Sequence, residues 1–106
     1  MIENRYYKQV AGNDTEQSDW VIPSGKKFYM TQIGGDSCYH TDVKVEIIWD
    51  ATGTPEILFS THGDNIVPVA NREFIGDGSK VIRILLTNDT EASQTIGAFY
   101  LGEYYE

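Results

Sequence analysis

The chain is short of cysteine, histidine, proline and positive charge, and each shortage removes a class of protein. Its single cysteine, Cys38, cannot close an internal disulfide. That argues against a disulfide-stapled secreted scaffold and for folding in a reducing cytoplasm. Eight Lys and Arg stand against sixteen Asp and Glu, for a formal charge of −8. Nucleic acid is therefore not an expected partner, because phosphate binding needs a concentrated positive field. The one adjacent basic pair, Lys26-Lys27, has no arginine cluster around it. The acid excess is read instead as the charge that keeps an adhesive β protein in solution. No apolar run approaches the roughly 18 residues of a membrane helix. Met1-Ile2-Glu3-Asn4-Arg5 lacks the basic and apolar blocks of a signal peptide. No membrane partner is expected.

What remains is enough for one core. The 106 residues are 41% hydrophobic, which fills a single domain over residues 1–106 but not two. Alternation of apolar and polar residues dominates, with no capped helical series. In Val43-Lys44-Val45-Glu46-Ile47-Ile48-Trp49, the residues Val43, Val45, Ile47 and Trp49 share one face. The turn Asp50-Ala51-Thr52-Gly53-Thr54-Pro55 follows, then Glu56-Ile57-Leu58-Phe59-Ser60-Thr61, which predicts a β-hairpin. A second pair of strands, 19–22 and 27–33, flanks Pro23-Ser24-Gly25, and Gly34-Gly35-Asp36 is expected to close it. Pro68 places 65–70 toward a sheet edge. Further strands are expected over 5–10, 80–87 and 95–105, with Asn13-Asp14-Thr15 and Asn88-Asp89-Thr90 marking turns. About seven or eight strands spaced by turn signals predict an all-β antiparallel sandwich.

Signals for chemistry are weak. Cys38, His40 and Asp42 recur every second residue, so an extended segment would point all three one way. Short matches of that kind arise readily by chance, and a loop of small polar residues accounts for them equally well. No nucleophile elbow and no phosphate loop occurs. Asp36, Asp42, Asp50, Asp64, Asp77 and Asp89 lie in or beside predicted loops, without the EF-hand pattern. Asp is common in turns because it bonds its own backbone. The expectation is a non-enzyme with no cofactor and no assigned metal site, calcium at the Asp-rich loops being the open alternative.

Aromatic residues carry more information. Tyr6, Tyr7, Tyr100, Tyr104 and Tyr105 cluster near the chain ends. Neighbours on a strand face opposite ways, so Tyr6-Tyr7 and Tyr104-Tyr105 each present one ring away from the core. These five are the candidate interface residues, since exposed Tyr suits interfaces. The competing role is coverage of a sandwich end or an edge strand. Trp20 and Trp49 each end an apolar run and are expected in the core.

The stretch Val21-Ile22-Pro23-Ser24-Gly25-Lys26-Lys27-Phe28-Tyr29-Met30-Thr31 resembles a turn and aromatic strand of small jelly-roll virion proteins of tailed bacteriophages. The likeness extends to the aromatic first strand, the Gly-Asn-Asp-Thr loop, the Trp-containing strand and 56–64. Such proteins decorate heads or accompany tails. The resemblance implies a jelly-roll-like sandwich, a structural role on the virion beside other virion proteins, and a symmetric homo-oligomer, with a trimer favoured. It carries over no catalytic residue. The alternative is a carbohydrate-binding or host-attachment module, with Tyr39, His40, Trp49 and His62 as ligand residues if loops bring them to one end.

Overall fold

The computed structural model describes residues 1–38, 40–61 and 65–106, with side chains over 65–70 left aside. They form eight strands: β1 (Ile2–Val10), β2 (Asp14–Val21), β3 (Lys27–Asp36), β4 (Val43–Trp49), β5 (Glu56–Thr61), β6 (Asn65–Ile75), β7 (Val81–Asn88) and β8 (Gln94–Tyr105). Two four-stranded antiparallel sheets, in the orders β1-β8-β3-β6 and β2-β7-β4-β5, stack face to face. The protein is an all-β, jelly-roll-like sandwich. Among the described residues no helix is long and apolar enough to cross a membrane.

The topology is that of one long hairpin rolled on itself. β4 pairs with β5, β3 with β6, β2 with β7 and β1 with β8, each antiparallel. The turn after Trp49 is thus the tip of the hairpin, and the pairs nest outward from it. Rolling then adds the contacts β3–β8 and β4–β7, which complete the sheets. The hairpin expected around that turn is present, and Asp50 shapes its tip. Asp50 adopts φ 55°, and its Oδ2 accepts the Thr54 N–H at 3.1 Å.

The alternation in the sequence becomes the core. Val43, Val45 and Ile47 from β4 meet Ile82, Ile84 and Leu86 from β7, Phe28, Met30 and Ile33 from β3, and Ile96, Ala98 and Tyr100 from β8. Side chains as fully buried as Phe28 or Leu86 each contribute roughly 1.5–3 kcal/mol. Trp20 and Trp49 are half-buried and pack against this cluster from its margins.

Two expectations about β3 are corrected. The strands flanking Pro23-Ser24-Gly25 do not pair: β2 lies in one sheet and β3 in the other. The turn, closed by Lys26 N–H donating to Pro23 O at 3.1 Å, carries the chain across the sandwich. β3 does end at Gly34-Gly35-Asp36, but as strand and not as a turn: all three lie within it, and Asp36 is its last residue. A Cβ on Gly35 would lie 2.9 Å from Val45 Cγ1 and 3.0 Å from Phe59 Cε2. Glycine serves close approach of the two sheets there, not a turn. Pro68 lies on an edge strand, as its missing N–H requires, because β6 closes its sheet opposite β1.

Candidate functional site

The first sheet turns one face to the core and one outward, and the outward face of β1 carries Glu3, Arg5 and Tyr7. Register decides what each meets on β8: Leu101, Phe99 and Gly97, in that order. Gly97 has no side chain, so the Tyr7 ring lies down on it. A Cβ there would fall 2.3 Å from Tyr7 Cγ. Beside it the Arg5 guanidinium sits 5.4 Å from the Tyr7 ring centroid and 4.9 Å from that of Phe99. Glu3 Oε1 accepts from Arg5 Nε at 2.9 Å and from Nη2 at 2.7 Å, which holds the guanidinium in place. Each stacked contact of this exposed type contributes roughly 0.5–1 kcal/mol. Tyr7 remains 41% exposed while Phe99 is reduced to 9%. The result is a rigid aromatic and cationic surface along an edge strand.

The tyrosines separate by strand parity. Tyr6 and Tyr104 pack against the core, while Tyr7 and Tyr105 stand outward. Tyr7 pairs with Gly97 at one end of β8, and Tyr105 pairs with Lys27 at the other. Eight residues of strand separate these positions by roughly 25 Å, so the outward rings form two spots on one face. The Tyr105 hydroxyl donates to Glu73 Oε2, and that carboxylate beside it raises the phenol above its ordinary pKa.

Tyr100 leaves the interface set. It is 1% exposed, its ring lies 5.8 Å from Phe28, and its hydroxyl accepts Asn4 Nδ2–H at 3.0 Å. Even-numbered residues of β8 face inward, and position 100 falls among them; burial pushes its pKa well above the usual phenol range. Trp20 joins the same group, edge-on to Phe28 at 5.1 Å and 5.8 Å from Tyr104. Over Tyr104 lies the Lys26 ammonium, 5.7 Å from the ring centroid.

The residues of the carbohydrate alternative are not brought to one place. Trp49 ends β4 and packs 4.8 Å from Phe74. His40 precedes the start of β4, exposed, with Nδ1 accepting the Asp42 N–H at 3.1 Å. The length of β4, about 20 Å, lies between them. Tyr39 and His62 lie outside the described residues, as does Asp64.

Cys38, His40 and Asp42 do not lie along an extended segment, because Cys38 adopts φ 57° and the chain turns. The thiol donates to Thr95 O at 2.8 Å, and Asp42 O accepts the Asp89 N–H at 2.9 Å. Among the described residues, no three His, Cys, Asp or Glu side chains converge as a metal site would require.

Strand alternation among the tyrosines of the sequence points to Tyr7 but not to Arg5 or Phe99. Arg5 was legible as the middle of a Glu-x-Arg-x-Tyr series on one face of a strand. Phe99 was not, since its contact with Arg5 depends on the β1–β8 register. Compared with known proteins, the chain matches no family model and no curated protein.

Proposed function

We propose that this protein is a non-enzymatic structural component of a virus particle, of the head-decoration or tail-associated kind, acting by rigid docking as a symmetric homo-oligomer. The observation that carries this reading is where the side chains are spent. The inner faces of both sheets are filled by apolar residues, while the outer face of the first sheet holds Tyr7 over Gly97 beside the Arg5–Phe99 stack. Aromatic rings fixed by their own strand lose little freedom when a partner covers them, and Tyr and Arg dominate binding energy at interfaces. The resemblance of the 21–31 stretch to phage virion proteins supports the same role, as does a sandwich that needs no disulfide.

The test is mass spectrometry of purified particles from phage that encode the chain, combined with sedimentation of the chain alone. The chain is expected in particles in fixed stoichiometry to a capsid or tail protein, and as an oligomer in solution. Absence from particles overturns the virion role.

A further inference from the structure

We propose that β1 is the docking edge for a second copy of this chain, two copies joining β1 to β1 about a two-fold axis through Tyr6; this rests on the oligomer proposed above and gives it a surface. Among the described residues β1 pairs with β8 alone, so its other edge presents backbone N–H and C=O groups that water or another strand must satisfy. Four strands occupy edges, and three of them are poor templates. β5 has six residues and a break in register against β4. β6 contains Pro68 and breaks register against β3 between Met30 and Gln32. β2 carries three acids, Asp14, Glu16 and Asp19, in eight residues. β1 has nine residues, neither Gly nor Pro, and an unbroken register along its whole length.

Self-pairing also needs a sequence that tolerates its own reverse. With the axis at Tyr6, Ile2 faces Val10, Glu3 faces Gln9, Asn4 faces Lys8 and Arg5 faces Tyr7 of the second copy. All nine residues overlap, each pair shares a face of the sheet, and no like charges oppose. Moving the axis to Arg5 would set guanidinium on guanidinium; moving it to Tyr7 would leave Ile2 and Glu3 unpaired. Charge favours this edge as well. In a chain of net −8, β1 holds two cations, Arg5 and Lys8, against one acid, Glu3. Of the three acids of β2, Glu16 is engaged by Lys8 at 3.0 Å, Asp19 by the Arg83 fork at 2.7 and 2.9 Å, and Asp14 accepts the Thr15 N–H at 2.8 Å. The pairing also covers the exposed Tyr7 ring with a second guanidinium, repeating across the axis the stack already built within one copy. Antiparallel pairing of identical strands is isologous and closes at two copies, so this edge gives a dimer in place of the trimer that the resemblance implies.

Sedimentation equilibrium of the full chain tests the state, and a register-specific cross-link tests the surface. The expected mass is twice 11.9 kDa. In a Cys38→Ser background, Glu3→Cys with Gln9→Cys is expected to oxidise to a covalent dimer, since paired strand positions lie within disulfide reach. Each cysteine alone is expected to give none. Both positions are exposed, and circular dichroism of each variant is expected to show the sandwich retained. A monomer at every concentration overturns the proposal; so does an oligomer in which the double variant stays uncross-linked. A cross-linked dimer absent from virions leaves this inference standing and removes the virion role alone, whereas a virion-bound monomer does the reverse.

Discussion

At the scale of single residues, Asn88 has more consequence than its place in a turn motif suggests. Its side chain is fully buried. Nδ2 donates to Val10 O, Ala11 O and Ala92 O at 3.0, 3.2 and 2.9 Å, and Oδ1 accepts from Thr90 N–H and Oγ1 at 3.0 and 2.7 Å. One amide thus ties the end of β1 to the β7–β8 turn. Asn88→Ala orphans this set, and a loss of about 2–3 kcal/mol is expected in urea unfolding. The turn half of this role was legible in Asn88-Asp89-Thr90; the reach to Val10 was not, because it spans the sequence. Tyr100 makes a second prediction. Burial raises its folded pKa above the unfolded phenol value near 10. The stability this contributes is fully present below that value and is lost progressively as pH rises from it toward the folded pKa, because the unfolded chain gives up the proton first. Stability should fall by about 1.4 kcal/mol in total between pH 9 and 11. In Tyr100→Phe the slope should be shallower when followed by denaturant unfolding across that range.

At the scale of elements, the strands were readable from alternation, while their partners and irregularities were not. β4 and β5 are neighbours in sequence, so turn chemistry alone announced them. β3 and β8 are distant, and Gly102 is explained only by their contact. A Cβ at Gly102 would stand 2.0 Å from Tyr29 O, a backbone atom that no rotamer change can move aside. At Gly25, by contrast, nothing lies within 4 Å, and the demand is a φ of +83°. Gly102→Ala should therefore cost upwards of about 2–3 kcal/mol, against about 1 kcal/mol for Gly25→Ala. Equal urea midpoints for the two variants would show that the β3–β8 approach is looser than described. β2 shows why boundaries are hard to read. Its polar run Thr15-Glu16-Gln17-Ser18 has no apolar alternation, yet it is held as strand by the β7 ladder.

For the whole molecule, the nested hairpin sets how the chain folds. Among the described residues only β4–β5 joins strands adjacent in sequence; every other ladder closes a longer loop. Loop-closure entropy is met before those contacts form, so refolding is expected on a scale of roughly milliseconds to seconds. Stopped-flow tryptophan fluorescence follows it through Trp20 and Trp49, both half-buried against the core. Microsecond refolding would contradict a rate limited by non-local pairing. The same roll determines exposure. It leaves β1, β2, β5 and β6 on edges, and the choice among them as a docking site follows from length, proline, register and charge.

Composition and period-two patterning by themselves determined that this is a β-sandwich held without disulfides, that β4 and β5 form a hairpin, and that one tyrosine of each end pair faces outward. Those features depend on neighbours along the chain, where side-chain direction alternates at every residue. Tertiary structure alone decided that Tyr100 is core, that β2 and β3 part into different sheets, and that Arg5 is stacked between Phe99 and Tyr7. Each of these depends on register between strands far apart in sequence, and a shift of one residue would turn every side chain to the opposite face.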